Sequence, residues 1–294
     1  MPTGFICRRV ALVASLVLCG LLICVYLAQW QALAALTVIP AWCWSMLLVV
    51  PVALSSRRRL AATVWLAFSL LCIDEWRGLV PFRAGSAEGL TVVVLNCMGS
   101  RAAIDEALEI QADVVLLSEL PPRYELPPGF SGQLGPDAGL LVRGQVEQAH
   151  RGPHWVSARA QCRGRALEVV STRLVVAVLR ADLWNPECWR DQAFNRATRC
   201  QQINDLTKVL PATGPVLVGG DFNSPARDGA NDSLFACGLS DVWLRRGLGW
   251  GNTLENSLPV LRVDRLYQRE LVSQRMEVRK TRHSDHRMLV AWFK

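Results

Sequence analysis

The stretch PVLVGGDFNS, residues 215–224, decides the fold. Val216, Leu217 and Val218 form a short uncharged run, the mark of a strand buried on both faces. Gly219 and Gly220 then leave the chain free to turn, and Asp221 and Asn223 follow at the turn. A rigid strand that ends in acids and amides can aim those side chains. The arrangement recurs in both directions along the chain. Upstream, LTVVVLN (90–96) and DVVLLSEL (113–120) read as buried strands carrying Asn96 and Glu119 near their ends. Downstream, Asp264 lies within LRVDRLY (261–267), and Ser284, Asp285 and His286 precede the last apolar run, MLVAWF (288–293).

Between these landmarks, periodicity predicts helices over 101–111, with Ile104, Leu108 and Ile110 on the apolar side, and over 190–210, with Phe194, Ile203, Leu206 and Leu210. Further strands are expected at 139–142, 155–160, 167–174, 263–267, 271–278 and 288–293. Pro121, Pro122, Pro127 and Pro128 mark a loop. Strands that alternate with helices and also occur in runs imply a layered α/β domain, with two sheets face to face and helices outside.

Composition divides the chain near residue 81. Of 294 residues, 51% are hydrophobic and only 19% charged, and mean hydropathy is +0.21, against roughly 25% charged in an ordinary soluble domain. Residues 1–81 hold six Arg, no Lys and two acids, whereas residues 82–294 hold 26 basic and 23 acidic residues. The first part is oily. The second, 213 residues long, is an ordinary globular domain with ample length for one core. Collagen-like, disordered and disulfide-scaffold classes are excluded. A surplus of three positive charges does not by itself define a nucleic-acid binder.

Three transmembrane helices are expected, at about 10–28, 32–54 and 60–76, forming a membrane anchor over 1–81. The first run has 19 uncharged residues, close to the roughly 30 Å hydrocarbon core at about 1.5 Å per residue. The second contains Pro40 and Pro51, and Trp42 and Trp44 suit an interface. The third is short and ends at Asp74 and Glu75, so an interfacial piece is its alternative. A cleaved signal peptide competes for the first run, but the second follows within four residues. Arg8, Arg9 and Arg57 to Arg59 flank the runs on one side, while Gln29, Trp30 and Gln31 between the first two carry no charge. That asymmetry places the basic ends in the cytoplasm. Three spans then make this an integral membrane protein with domain 82–294 extracytoplasmic; two would leave the domain inside.

The ten cysteines show no zinc-type spacing. Buried thiols are the plain expectation, with a Cys188–Cys200 bridge as the alternative outside the cytoplasm.

Each polar strand end has a bland explanation. Asp221 and Asn223 suit an Asx turn, Glu119 a solvated strand end, and Asp285 with His286 a cap and a core histidine. Together, Glu119, Asp285, Asp221, Asn96 and Asn223 offer hard oxygen donors, which suit Mg²⁺ or Mn²⁺. Such a cation beside the imidazole of His286 suits phosphoester cleavage, with a carboxylate or imidazole activating water.

At these residues the chain resembles the endonuclease/exonuclease/phosphatase superfamily of deoxyribonuclease I-like phosphoesterases. The resemblance runs in order from 90 to 294. Its most specific pieces are GDFNS (220–224), Arg262-x-Asp264 and SDH (284–286). The Asn of VLNC, the Glu of LLSEL and Arg199-x-x-Gln202-x-x-x-Leu206 support it. It implies a four-layered α/β sandwich of two packed mixed sheets flanked by helices, with the site at one edge. By position, Glu119 resembles the main metal-ligating carboxylate, with Asn96 and Asp285 in support. Asp221 resembles the residue that activates water, and Asn223 the positioner of phosphate or water. His286 corresponds to the catalytic imidazole and Asp264 to the partner of its other nitrogen. The strand VVSTRL departs from the family, since Arg173 stands where many members have His. There it would grip a phosphate oxygen without readily giving a proton. Ser118 and Met288 also replace a common Gln and Pro.

The expected function is therefore a membrane-anchored, Mg²⁺- or Mn²⁺-dependent phosphoesterase at the lipid bilayer. The substrate is a lipid headgroup or small phosphoester in preference to nucleic acid, and no protein partner is evident. An extracytoplasmic nuclease and a catalytically silent membrane binding protein are the alternatives.

Overall fold

A computed structural model describes residues 3–73, 79, 85–176, 180, 182–225 and 227–294. The chain forms two compact units. One comprises 1–76 with 177–196 and 225–229, the other 77–176, 197–224 and 230–294.

In the first unit, helix α1 (Thr3–Ala28) is followed by α2 (Ala34–Thr37), α3 (Ala41–Leu54) and α4 (Arg58–Ser69). Among the described residues, α1 holds the one continuous helix long and apolar enough to cross a membrane, Phe5–Ala28, with mean hydropathy 2.8. The expected second run is broken, Gln31–Thr37 meeting Ala41–Leu54 at 73°. Pro40 stands at the break with an extended ψ of 141°, and it offers no amide hydrogen to continue the ladder. The third run is helical to Ser69 with a tighter turn through Cys72; its expected end at 74–76 lies outside the described residues. Cys19, Leu22, Tyr26, Leu48 and Phe68 pack these helices together.

The second unit is built on two sheets. Strands β1 (Leu90–Asn96), β2 (Val114–Ser118), β3 (Ser131–Leu134), β4 (Ala138–Val142), β5 (Gln145–Arg151), β6 (Trp155–Cys162), β7 (Arg165–Arg173) and β8 (Val216–Asp221) are followed by β9 (Ser240–Asp241), β10 (Gly247–Leu248), β11 (Asp264–Arg269), β12 (Ser273–Arg279) and β13 (Met288–Phe293). One sheet has the order β10-β12-β13-β1-β2-β4-β3, the other β5-β6-β7-β8-β11-β9. Helices α5 (Arg101–Glu109), α6 (Pro186–Thr207), α7 (Asp232–Ala236) and α8 (Val242–Arg246) complete the elements, and α6 passes from one unit into the other.

Side-chain alternation assigns the layers. Val92 and Val94 of β1, Leu217 of β8 and Leu289, Ala291 and Phe293 of β13 face the space between the sheets. Val93 and Leu95 face outward against Ile104 and Ala107 of α5. Val216 and Val218 face outward against Ile203 and Leu206 of α6. This is the expected four-layered sandwich. Each large apolar side chain so buried contributes about 1.5–3 kcal/mol.

All ten cysteines are thiols, the plain expectation, and the alternative Cys188–Cys200 bridge is not formed. Two expectations need correction. Phe194 is 71% exposed rather than part of the core. Helix α6 begins at Pro186, four residues before the expected start, at a position where a fixed φ favours initiation.

Candidate active site

Strand direction gathers the polar ends. β1 pairs parallel with β2, Asn96 opposite Ser118, and β7 pairs parallel with β8, Arg173 opposite Asp221. Antiparallel β11 brings its first residue, Asp264, opposite Asp221. Asn96, Arg173 and Asp221 thus end their strands where Asp264 begins its own, and Ser284 Oγ donates to Asn96 O at 2.7 Å. Close approach of the facing sheet at 219, and of the neighbouring strand β7 at 220, requires glycine. A Cβ on Gly219 would lie 2.6 Å from Leu116 Cδ1, and one on Gly220, at φ +139°, 1.9 Å from Thr172 O.

Asn96, buried, is the centre of the cluster. Its Nδ2 donates to Glu119 Oε1 and to Asp221 Oδ2, both at 2.9 Å, and its Oδ1 accepts from Met98 N at 3.0 Å. Glu119 leaves the sheet at φ +52°, held by Glu119 N donating to Asp137 O at 2.9 Å and Gly99 N donating to Glu119 O at 2.8 Å. Its Oε1 also accepts from Arg173 Nη2 at 2.8 Å, while Arg173 Nη1 donates to Asp137 Oδ2 at 3.2 Å. In this structure Arg173 therefore grips the carboxylate expected to bind metal.

Asp221 Oδ1 accepts from Asn223 N at 2.9 Å, which is the Asx turn foreseen at this motif. The motif serves the site as well: Asn223 Nδ2 donates to Asp221 Oδ2 at 3.1 Å and to Leu174 O at 2.9 Å. His286 Nδ1 lies 2.7 Å from Asp264 Oδ2, and the ligand atoms of Asp221, Asp264 and His286 lie within 4.8 Å of one another. Burial and the neighbouring Asp264 push the Asp221 carboxyl up to about 6, against the opposing pull of His286. Burial disfavours the charge on His286, but the Asp264 carboxylate and its hydrogen bond outweigh this and raise the imidazole to about 10.

Asp285 is half-buried between Ser284 and His286 and contributes to the field on His286. Among the described residues, no hydrogen bond joins its carboxylate to Glu119 or Asn96. A divalent cation suits the donors present. Glu119 Oε2 carries no hydrogen bond, one lone pair of Asn96 Oδ1 remains, and buried Asp264 Oδ1 has no partner among the described residues.

Sequence reasoning assigned no role to four residues. Ser118 Oγ donates to Thr172 O and accepts from Asp221 N, both at 3.1 Å, joining the sheets. Thr253 Oγ1 accepts from Asp264 N at 3.2 Å, Asp137 braces Arg173, and Ser284 Oγ accepts from His286 N at 3.0 Å. The signal is weak for Ser118, Thr253 and Asp137 because each acts through a partner distant in the chain.

A mixed-sheet sandwich with carboxylates, amides and a His–Asp pair at one edge defines a phosphoesterase of the metal-dependent kind. The chain belongs to the Endonuclease/Exonuclease/phosphatase family, whose model matches residues 93–286. It is accordingly a hydrolase of phosphate ester bonds, and the family's enzymes depend on a divalent metal. No curated protein matches the sequence. Among solved structures, the chain is similar to D. rerio TDP2 complexed with single strand DNA product, with TM-score 0.55 and 19% identity over 70% of this chain and 98% of that one. It is also similar to beta toxin from Staphylococcus aureus, at 0.53 and 15% over 70% and 100%. The human Nocturnin catalytic domain with bound sulfate gives 0.50 and 16% over 70% and 93%. At these identities the likeness is one of fold.

Proposed function

We propose that this protein is a membrane-anchored, Mg²⁺- or Mn²⁺-dependent phosphoesterase that hydrolyses a lipid headgroup or small phosphoester by in-line attack of water. The observation that carries the reading is the link from Asn96 to both Glu119 and Asp221, which joins an expected metal carboxylate to an expected base.

Glu119, with Asn96 and Asp285, would hold the cation, which when bound neutralises charge on phosphate oxygens. Asp221, poised near neutrality by burial, accepts the proton of the attacking water. Asn223 fixes the orientation of Asp221 and positions water or phosphate. His286 stays protonated and offers charge to the phosphate, while Asp264 holds Nδ1 and so fixes the ring. Arg173 is a second fixed cation for a phosphate oxygen. Three spans, with the domain extracytoplasmic, complete the reading.

The test uses the purified full chain with Mg²⁺ on phospholipid vesicles, nucleotides and DNA. Asp221→Ala and His286→Ala should each lose about 10²–10⁴-fold in turnover; equal turnover by either variant overturns the catalytic assignment. A nuclease is the second reading, supported by the single strand DNA product bound to the similar D. rerio TDP2, and preferential DNA cleavage would favour it. The Arg173–Glu119 pair favours a silent binder, which calorimetry would support by finding neither Mg²⁺ nor Mn²⁺ binding.

A further inference from the structure

The turn after α1 is tied to two segments of its own unit that come from far along the chain. Gln29 Nε2 donates to Arg227 O at 2.7 Å, and Gln29 Oε1 accepts from Gly229 N at 3.1 Å. Arg196, only 3% exposed, donates through Nη1 to Gln29 O at 3.3 Å and Trp30 O at 3.4 Å. Its Nη2 bonds Thr37 Oγ1, and its Nε lies 3.1 Å from Asp228 Oδ1. Gln31 Nε2 donates to Ala193 O. The guanidinium thus binds two carbonyls of the turn that follows α1.

The opposite end of α1 is marked by Ser56 N donating to Arg8 O at 3.0 Å, which brings the two basic clusters together. The twenty steps from Arg8 to Ala28 span about 30 Å at 1.5 Å per residue, one bilayer core. If the basic end is cytoplasmic, the Gln29 end and the segments bonded to it lie on the outer side.

That end carries exposed apolar side chains: Leu27 (66%), Trp30 (50%), Phe194 (71%) and Trp184 (86%). Single exposed apolar residues need no explanation. Here, however, Phe194 follows the residue bonded to Gln31, and the turn bearing Trp184 is braced. Arg180 pairs with Asp182 and Asp191, both at 2.7 Å, and Trp189 Nε1 donates to Leu183 O at 2.9 Å. Aromatic rings at the end of an apolar span suit the headgroup layer.

We infer that residues 182–196 form an interfacial element seated in the outer leaflet, and that the substrate is the phosphoester of a phospholipid in that leaflet. The substrate half rests on the phosphoesterase reading above. One of the two segments that meet the α1 turn is a chain neighbour of the active-site residues: Arg227 and Gly229 follow shortly after GDFNS.

The experiment places a photo-crosslinking residue at 184, at 194 or, as control, at exposed Gln148 of the full chain in phospholipid nanodiscs. Lipid adducts at 184 and 194 well above those at 148 are expected; equal yields overturn the interfacial element, whatever the enzyme does. In parallel, Trp184→Ser/Phe194→Ser should hydrolyse nanodisc phospholipid at least tenfold more slowly while turning over soluble bis(4-nitrophenyl) phosphate at the wild-type rate. Unchanged phospholipid turnover in the double variant, or a wild type that turns over the soluble ester and no phospholipid, overturns the substrate class. Loss of both activities in the double variant passes the decision to single Trp184→Ser, where equal loss on both substrates again overturns it. If the wild type turns over neither substrate, the phosphoesterase reading itself fails and the substrate class falls with it, while the adducts still decide the interfacial element.

Discussion

His286 Nδ1 lies 2.7 Å from Asp264 Oδ2, and both side chains are buried. Burial alone would lower the imidazole; the carboxylate raises it to about 10. A folded value above the ordinary 6.5 means that the pair's contribution to stability is complete below about pH 6.5 and fades as pH rises through about 10. The melting temperature should therefore fall across that window. In Asp264→Asn the fall should flatten, and His286 should titrate at or below the ordinary histidine value, as followed by imidazole NMR.

Arg173 shares Glu119 Oε1 with Asn96. Arg173→Ala removes a cation from a carboxylate proposed to bind metal, so Mg²⁺ should bind more tightly in calorimetry. The same change should lower kcat/KM about 10–100-fold through lost phosphate contact, and Arg173→Lys should recover only part of it because the two-pronged geometry is gone.

Gly220→Ala sets a methyl group against Thr172 O and demands a positive φ. A loss of about 3 kcal/mol or more is expected in denaturant titration, together with loss of activity, because Asp221 is the next residue.

Asp228→Asn leaves the buried Arg196 charge without its counter-ion. Breaking such a pair costs about 3–5 kcal/mol, and replacing both members by apolar residues of similar size should recover most of it. Thermal unfolding in detergent distinguishes the two variants.

Chelation of divalent metal should stop turnover and leave the far-ultraviolet circular dichroism unchanged. The scaffold that carries Glu119, Asn96 and Asp285 is held by apolar layers, so no metal is required for the fold.

The strands that carry the site were legible because β1, β2, β8 and β13 lie inside their sheets and read as unbroken apolar runs. β3 and β5 were missed. They are edge strands with polar sequences, SGQL and QVEQAHR, and their backbone pairing leaves no pattern in the side chains. Phe194 misled because an apolar residue at helical spacing looks the same whether its face meets a core or something outside the fold. The polar ends Asn96, Glu119, Asp221, Asp264 and His286 were visible in sequence. Asp137 and Thr253 were not, since a brace is defined by the residue it holds, and only the fold supplies that residue.

Ser118 bridges the two sheets beside the cluster, touching Thr172 O with its proton and Asp221 N with its lone pair. Sliding one sheet over the other would break this stitch and draw Asp221 away from Asn96. The reactive edge consequently shares the stiffness of the sandwich. Elements outside that edge, such as the segment bearing Trp184 and Phe194, can therefore be altered to change which ester is met without disturbing the chemistry.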